Sequence, residues 1–95
     1  MSDVAAPGNA TIRKDLTVEH IDDNVVVLDR KNGRIHQLNQ TASIVWQGLA
    51  AGMGWRTIAA SLTDRFEVSL DDASDDVTNL VEEFRTLQLL ETELK

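Results

Sequence analysis

Residues 33–49 read Gly-Arg-Ile-His-Gln-Leu-Asn-Gln-Thr-Ala-Ser-Ile-Val-Trp-Gln-Gly-Leu. The start of this stretch alternates as a strand does. The remainder carries apolar residues at helical spacing. A short strand thus runs into an amphipathic helix with almost no loop between them. A chain built this way is α+β, and its other elements must fit around that joint.

Two further strands precede it. Residues 17–21 form the first, and Asp22-Asp23-Asn24 is a turn. Val25-Val26-Val27-Leu28 is β-branched and apolar, which suits the central strand of a sheet. Asn32-Gly33 marks a hairpin, because both residues tolerate positive φ. The return strand is residues 34–38, with His36 and Leu38 on one face, Arg34 and Gln37 split from them by the pleat, and Ile35 sharing the face of Gln37.

Three helices follow. Asn39 caps the first, expected over residues 40–51, with Ala42, Val45, Trp46 and Leu49 as its buried stripe and Ile44 beside it. Gly52 and Gly54 make the turn. The second helix is expected over residues 55–66, with Trp55, Ile58, Ala59, Leu62 and Phe66 on one face. Ser69 and Asp72 resemble a capping box with Asp in place of Glu, and Asp71 and Asp72 suit the positive end of a helix dipole. The third helix should run to about residue 88, with Ala73, Val77, Leu80, Val81, Phe84 and Leu87 as its apolar stripe. Three antiparallel strands followed by three helices give a winged helix-turn-helix-like α+β fold. Residues 1–14 are small and polar, contain the sole proline, Pro7, and read as a flexible tail; residues 15–95 form the single domain.

At 95 residues the chain has one core and no room for a deep interdomain cleft. It has no cysteine, so thiolate chemistry and disulfides are excluded. No apolar run approaches the ~20 residues of a membrane span, and the N-terminus lacks an apolar signal core, so the cytoplasm is the expected compartment. The net charge of -7 is uneven: residues 71–95 hold eight acids against Arg85 and Lys95, a balance of -6. Such a surface repels phosphate backbones and attracts basic partners.

Catalytic readings find little support. His20 and His36 have no second His or Cys at ligand spacing, and a metal needs three or four ligands, so both read as structural, with no metal or cofactor expected. The acidic run at residues 71–76 lacks calcium-loop spacing and a terminal bidentate Glu. Ser43, Ser61, Ser69 and Ser74 sit in helical or capping contexts without a base. Trp46 and Trp55 read as core. The chain is therefore not expected to be an enzyme.

Gly33 to Trp46 resembles the segment G-x-x-(aromatic or His)-x-Leu-Asn-x-(Thr/Ser)-Ala-x-x-(Ile/Val)-Trp of PqqD-like proteins. The glycine-flanked second helix with Ile58 and Leu62, then Phe66, then Asp76-Val77 leading into Leu80, Phe84, Leu87 and Leu90 extend the likeness over roughly residues 18–91. His36 stands where many relatives carry Tyr or Phe. The resemblance implies a winged helix-turn-helix reused for peptide recognition. Such proteins bind the leader of a ribosomally made precursor peptide as an extra strand beside the third strand, against the third helix, and present it to a modifying enzyme.

On that reading the peptide-binding residues are Arg34, Ile35, His36, Gln37 and Leu38 on the strand and Asp76, Leu80, Glu83 and Leu87 on the helix. Strand addition needs an edge with unpaired N–H and C=O groups, and residues 34–38 contain no proline to remove a donor. With about 100° per residue, Val81 and Phe84 lie near Val77, while Leu80 and Leu87 lie to one side and Asp76 and Glu83 just beyond. Asp76 and Glu83 serve either as a rim for Lys or Arg of a peptide or as a plain solvated flank. Two other classes compete: a structural or regulatory subunit that binds a folded protein, and a DNA-binding regulator. The second helix offers DNA only Arg56 and Arg65, and the third is acidic. Monomer and homodimer both fit a small domain with an open edge.

Overall fold

The computed structural model describes residues 11–91. The strands are β1 (Thr17–Ile21), β2 (Asn24–Asp29) and β3 (Arg34–Gln37). The helices are α1 (Gln40–Ala50), α2 (Trp55–Arg65) and α3 (Leu70–Thr86). The sheet is antiparallel in the order β1-β2-β3, so β1 and β3 are both edges.

Local chemistry explains the joints. Asp22 takes φ 57° in the first hairpin, a left-handed value that Asp tolerates. Gly33 takes φ 67° in the second, and its N–H bonds to Arg30 O at 3.3 Å. Asn39 Oδ1 accepts from Ala42 N–H at 2.8 Å and starts α1. Ser69 Oγ accepts from Asp72 N–H at 3.1 Å and starts α3. α3 stops at Thr86, short of the expected residue 88. Gln88 adopts φ 63°, and the N–H of Leu89 turns back to Phe84 O at 2.9 Å, satisfying a carbonyl the helix would leave free.

The core lies between the sheet and the three helices. Val25 and Val27 point into it from β2, Trp46 and Val45 from α1, Ile58 and Leu62 from α2, and Val77, Val81 and Phe84 from α3. Trp46 and Phe84 meet edge to face, with centroids 5.3 Å apart and planes at 86°. Trp55 is only half-buried, packed at the margin of the core with the Arg56 guanidinium 5.3 Å from its ring centroid. A Cβ at Gly48 would stand 2.6 Å from Ile58 Cγ1, so the glycine lets α1 and α2 approach.

Ser43 is buried and joins three elements. Its hydroxyl accepts the N–H of Val25 at 2.8 Å and donates to Leu38 O at 3.3 Å. It stands in for the ladder bond that those two backbone groups would otherwise make with each other, and so fixes α1 to the sheet.

The expected tail needs a partial correction. Residues 1–10 lie outside those described, but Ile12 pairs with Leu90 in an antiparallel bridge. Arg13 N–H donates to Leu89 O at 3.0 Å, and Glu91 N–H donates to Thr11 O. Residues 11–13 are thus strapped to the chain beyond α3, because half-buried Ile12 joins the core margin and Arg13 has buried partners.

Candidate functional site

The register of the ladder decides which groups of β3 are free. Val26 lies opposite Gln37, Val27 opposite His36 and Asp29 opposite Arg34. Leu38 N–H donates to Val25 O at 2.9 Å, which makes that position a hydrogen-bonded one. Such positions alternate in an antiparallel pair. His36 and Arg34 therefore also turn their backbone groups toward β2, and Ile35 and Gln37 turn theirs away. Of the five N–H groups at residues 34–38, two face the open edge, not all five.

The side chains divide by the same parity. Arg34, His36 and Leu38 share the face of Val25 and Val27, so Arg34 does not side with Gln37 as expected, because side chains two apart on a strand point the same way; Ile35 and Gln37 lie on the helix-free face. Ile35, at 66% exposure, is the most exposed large hydrophobic among the described residues. Leu38 is in the core and leaves only backbone near the edge. His36 is half-buried, with its Nε2 sealed from solvent and without a hydrogen-bond partner.

On α3, Leu80 and Leu87 are half-buried against the core, while Asp76 and Glu83 are exposed. β3 packs chiefly on β2, whereas α3 packs on α2 and α1. Among the described residues no further strand pairs with β3 on its outer side. The candidate residues thus fall into two sets: a strand edge with two outward N–H groups, and a helix flank that is apolar at its base and acidic at its rim.

A group the sequence reading missed joins the β2–β3 hairpin to the residues after α3. Arg13 Nη1 donates to Asp29 Oδ2 at 3.0 Å and to Gln88 O at 2.9 Å, and Nη2 donates to Asp29 Oδ1 at 3.3 Å. Asp29 also accepts from Asn32 Nδ2 at 2.8 Å and from Asn32 N–H at 3.3 Å. The guanidinium therefore ties the β2–β3 hairpin to the end of α3. Its hydrogen bonds, with those from Asn32, hold the Asp29 carboxyl down at about 2, and Arg13 likewise lowers Asp15. A signal was present in the sequence. Asp29 continues the buried phase of Val25 and Val27, and an acid at a buried position calls for a cation.

Among the described residues no group of three His, Cys, Asp or Glu side chains could hold a metal ion, and no helix is long and apolar enough to cross a membrane.

The model of the family Coenzyme PQQ synthesis protein D (PqqD) matches residues 24–90. A solved lasso peptide synthetase B1 complexed with the leader peptide is 30% identical, with a TM-score of 0.80 over 87% of this chain and 98% of that one. TbiB1 in complex with the TbiA(beta) leader peptide shares the fold at 24% identity, with a TM-score of 0.80 over 90% of this chain and 99% of that one. No curated protein sequence matches.

Proposed function

The chain belongs to the PqqD family, and we propose that it binds the leader of a ribosomally synthesised precursor peptide as a fourth strand on β3. It acts in the cytoplasm without catalysing a reaction itself, and presents the peptide to a modifying enzyme. The observation that carries this reading is the open edge of β3, with the N–H groups of Ile35 and Gln37 turned outward. That edge belongs to a chain 30% identical to a lasso peptide synthetase B1 solved with a leader peptide.

The energetics favour anchors over charges. Each aliphatic anchor buried against Leu80 and Leu87 contributes roughly 1.5–3 kcal/mol. A rim ion pair to exposed Asp76 or Glu83 contributes only about 0–1 kcal/mol and acts mainly on register and on-rate. The same acidic rim disfavours nucleic acid, since a phosphate backbone needs cations along its path.

The test is an NMR titration of labelled protein with the leader of the precursor peptide encoded nearest its gene. Shifts should concentrate at residues 34–38 and along the Asp76–Leu87 flank of α3. Shifts centred instead on β1, the other open edge, would sink the β3 assignment. No shifts at high peptide concentration would move the search to folded protein partners.

A further inference from the structure

The helix-free face of the sheet carries two neighbouring rows of side chains. Thr17, Leu28 and Ile35 lie side by side across β1, β2 and β3, and Glu19, Val26 and Gln37 form the next row. Leu28 and Val26 are half-buried, whereas Ile35 and Gln37 at the open edge are exposed. The row that ends in Ile35 is apolar where it meets the edge, and the row that ends in Gln37 is polar there.

The two edges of the sheet are guarded differently. On this face β1 sets Glu19 between Thr17 and Ile21, and a charge on an edge strand discourages further pairing. On the same face β3 presents Ile35 and Gln37 without a charge, and these are the residues whose backbone groups turn outward. Scattered exposed apolar residues are ordinary on a protein surface. Ile35 differs because it joins an uncovered apolar side chain to an open ladder, a combination that proteins avoid at an edge left bare.

The period of a strand says what covers it. A strand added to β3, in either direction, lays the residue beside Ile35 with its side chain on the same face, about 5 Å away between Cβ atoms. That face is opposite the buried Val25 and Val27, so the contact is separate from any anchor against Leu80 and Leu87. Resting on the peptide reading above, we propose that Ile35 is a specificity-determining residue: the leader lays a β-branched or aromatic apolar side chain beside it on the helix-free face, in line with Leu28. Two residues along, beside Gln37, the leader carries a polar side chain. The residue between these two turns to the helix side, so the leader is read on both of its faces. A peptide with a charge beside Ile35 desolvates that charge against an apolar row and is rejected.

The experiment measures Kd by fluorescence anisotropy for the leader of the nearest encoded precursor. I35T keeps a β-branched residue but loses most of the apolar contact, and should bind about fivefold more weakly than the unaltered chain. I35V keeps that contact and should stay within about twofold. I21T, exposed on the same face at the other edge, should also stay within about twofold. Serine placed at each leader position in turn identifies the partner of Ile35. At that position serine costs about fivefold with the unaltered chain and little with I35T, and the native residue there is β-branched or aromatic. Circular dichroism confirms that each variant is folded. If Q37P weakens binding and I35T does not, or if the coupled leader residue is charged, the role of Ile35 alone is overturned. If Q37P binds as the unaltered chain does, or the unaltered chain binds no leader, the peptide reading on β3 falls and the role of Ile35 with it.

Discussion

Arg13 and Asp29 lie sixteen residues apart and form a forked ion pair, with Nη1–Oδ2 at 3.0 Å and Nη2–Oδ1 at 3.3 Å. The Asp29 side chain is 1% exposed and that of Arg13 14%. The pair sits where the N-terminal strap, the β2–β3 hairpin and the end of α3 meet, so it sets the position of β3 relative to α3.

Replacing Arg13 with Gln should destabilise the domain by about 2–4 kcal/mol in urea denaturation. Removing one partner of a buried pair leaves the other charge uncompensated, although Asn32 still serves Asp29. The double variant R13Q/D29N should be more stable than R13Q, because the orphaned charge has gone. A double variant as unstable as the sum of the two singles would show that the residues do not act on each other.

The same pair predicts an acid-sensitive limb. Asp29 is held below its usual 3.8, at about 2, first by the Arg13 hydrogen bond and then by Asn32. A carboxyl whose folded value is depressed binds protons more readily when unfolded. Its contribution is therefore complete above about pH 4 and is lost as pH falls toward 2. Asp15, lowered in the same direction by Arg13, adds to that limb. Thermal melts from pH 5 to pH 2 should show a steeper fall for the native chain than for D29N. Parallel curves would assign the acid limb to other groups.

His36 should be replaceable with gain. Its Nε2 is buried without a partner, and a buried polar atom left unsatisfied costs about 1–3 kcal/mol. Phe at this position removes that atom and keeps an aromatic ring opposite Val27. H36F should raise stability by about 1 kcal/mol. A loss of stability would mean that the pocket around His36 cannot admit the larger ring.

Much of this architecture was legible in the residues because it rests on local chemistry. The β-branched run at residues 25–28, the caps Asn39 and Ser69, and the stripe of Val77, Val81 and Phe84 each announce their element within a few neighbours. The rest depends on tertiary meetings. Nothing near Arg13 in sequence points to Asp29 or to Gln88 O. Ser43 reads as an ordinary helical serine until Val25 N–H is found against it. Gln88 ends α3 in a left-handed conformation without the glycine that would have marked the stop. The parity of β3 escaped because the pattern gives the side-chain faces, whereas the direction of each N–H needs the register with β2.

That parity yields the sharpest test of the candidate edge. Proline removes one N–H and fixes φ near -65°, and both suit an edge position whose N–H makes no ladder bond. Gln37 N–H faces outward, so Q37P should keep the fold and cooperative melting while weakening leader binding at least tenfold. His36 N–H faces β2, so H36P should lose a ladder bond and melt markedly earlier. Circular dichroism and calorimetric titration on both variants separate the outcomes. If Q37P binds the leader as the native chain does, the leader does not add to β3. If H36P is as stable as Q37P, the outward groups belong to the other residues of the strand, and the paired stretch of the peptide shifts by one position along the edge.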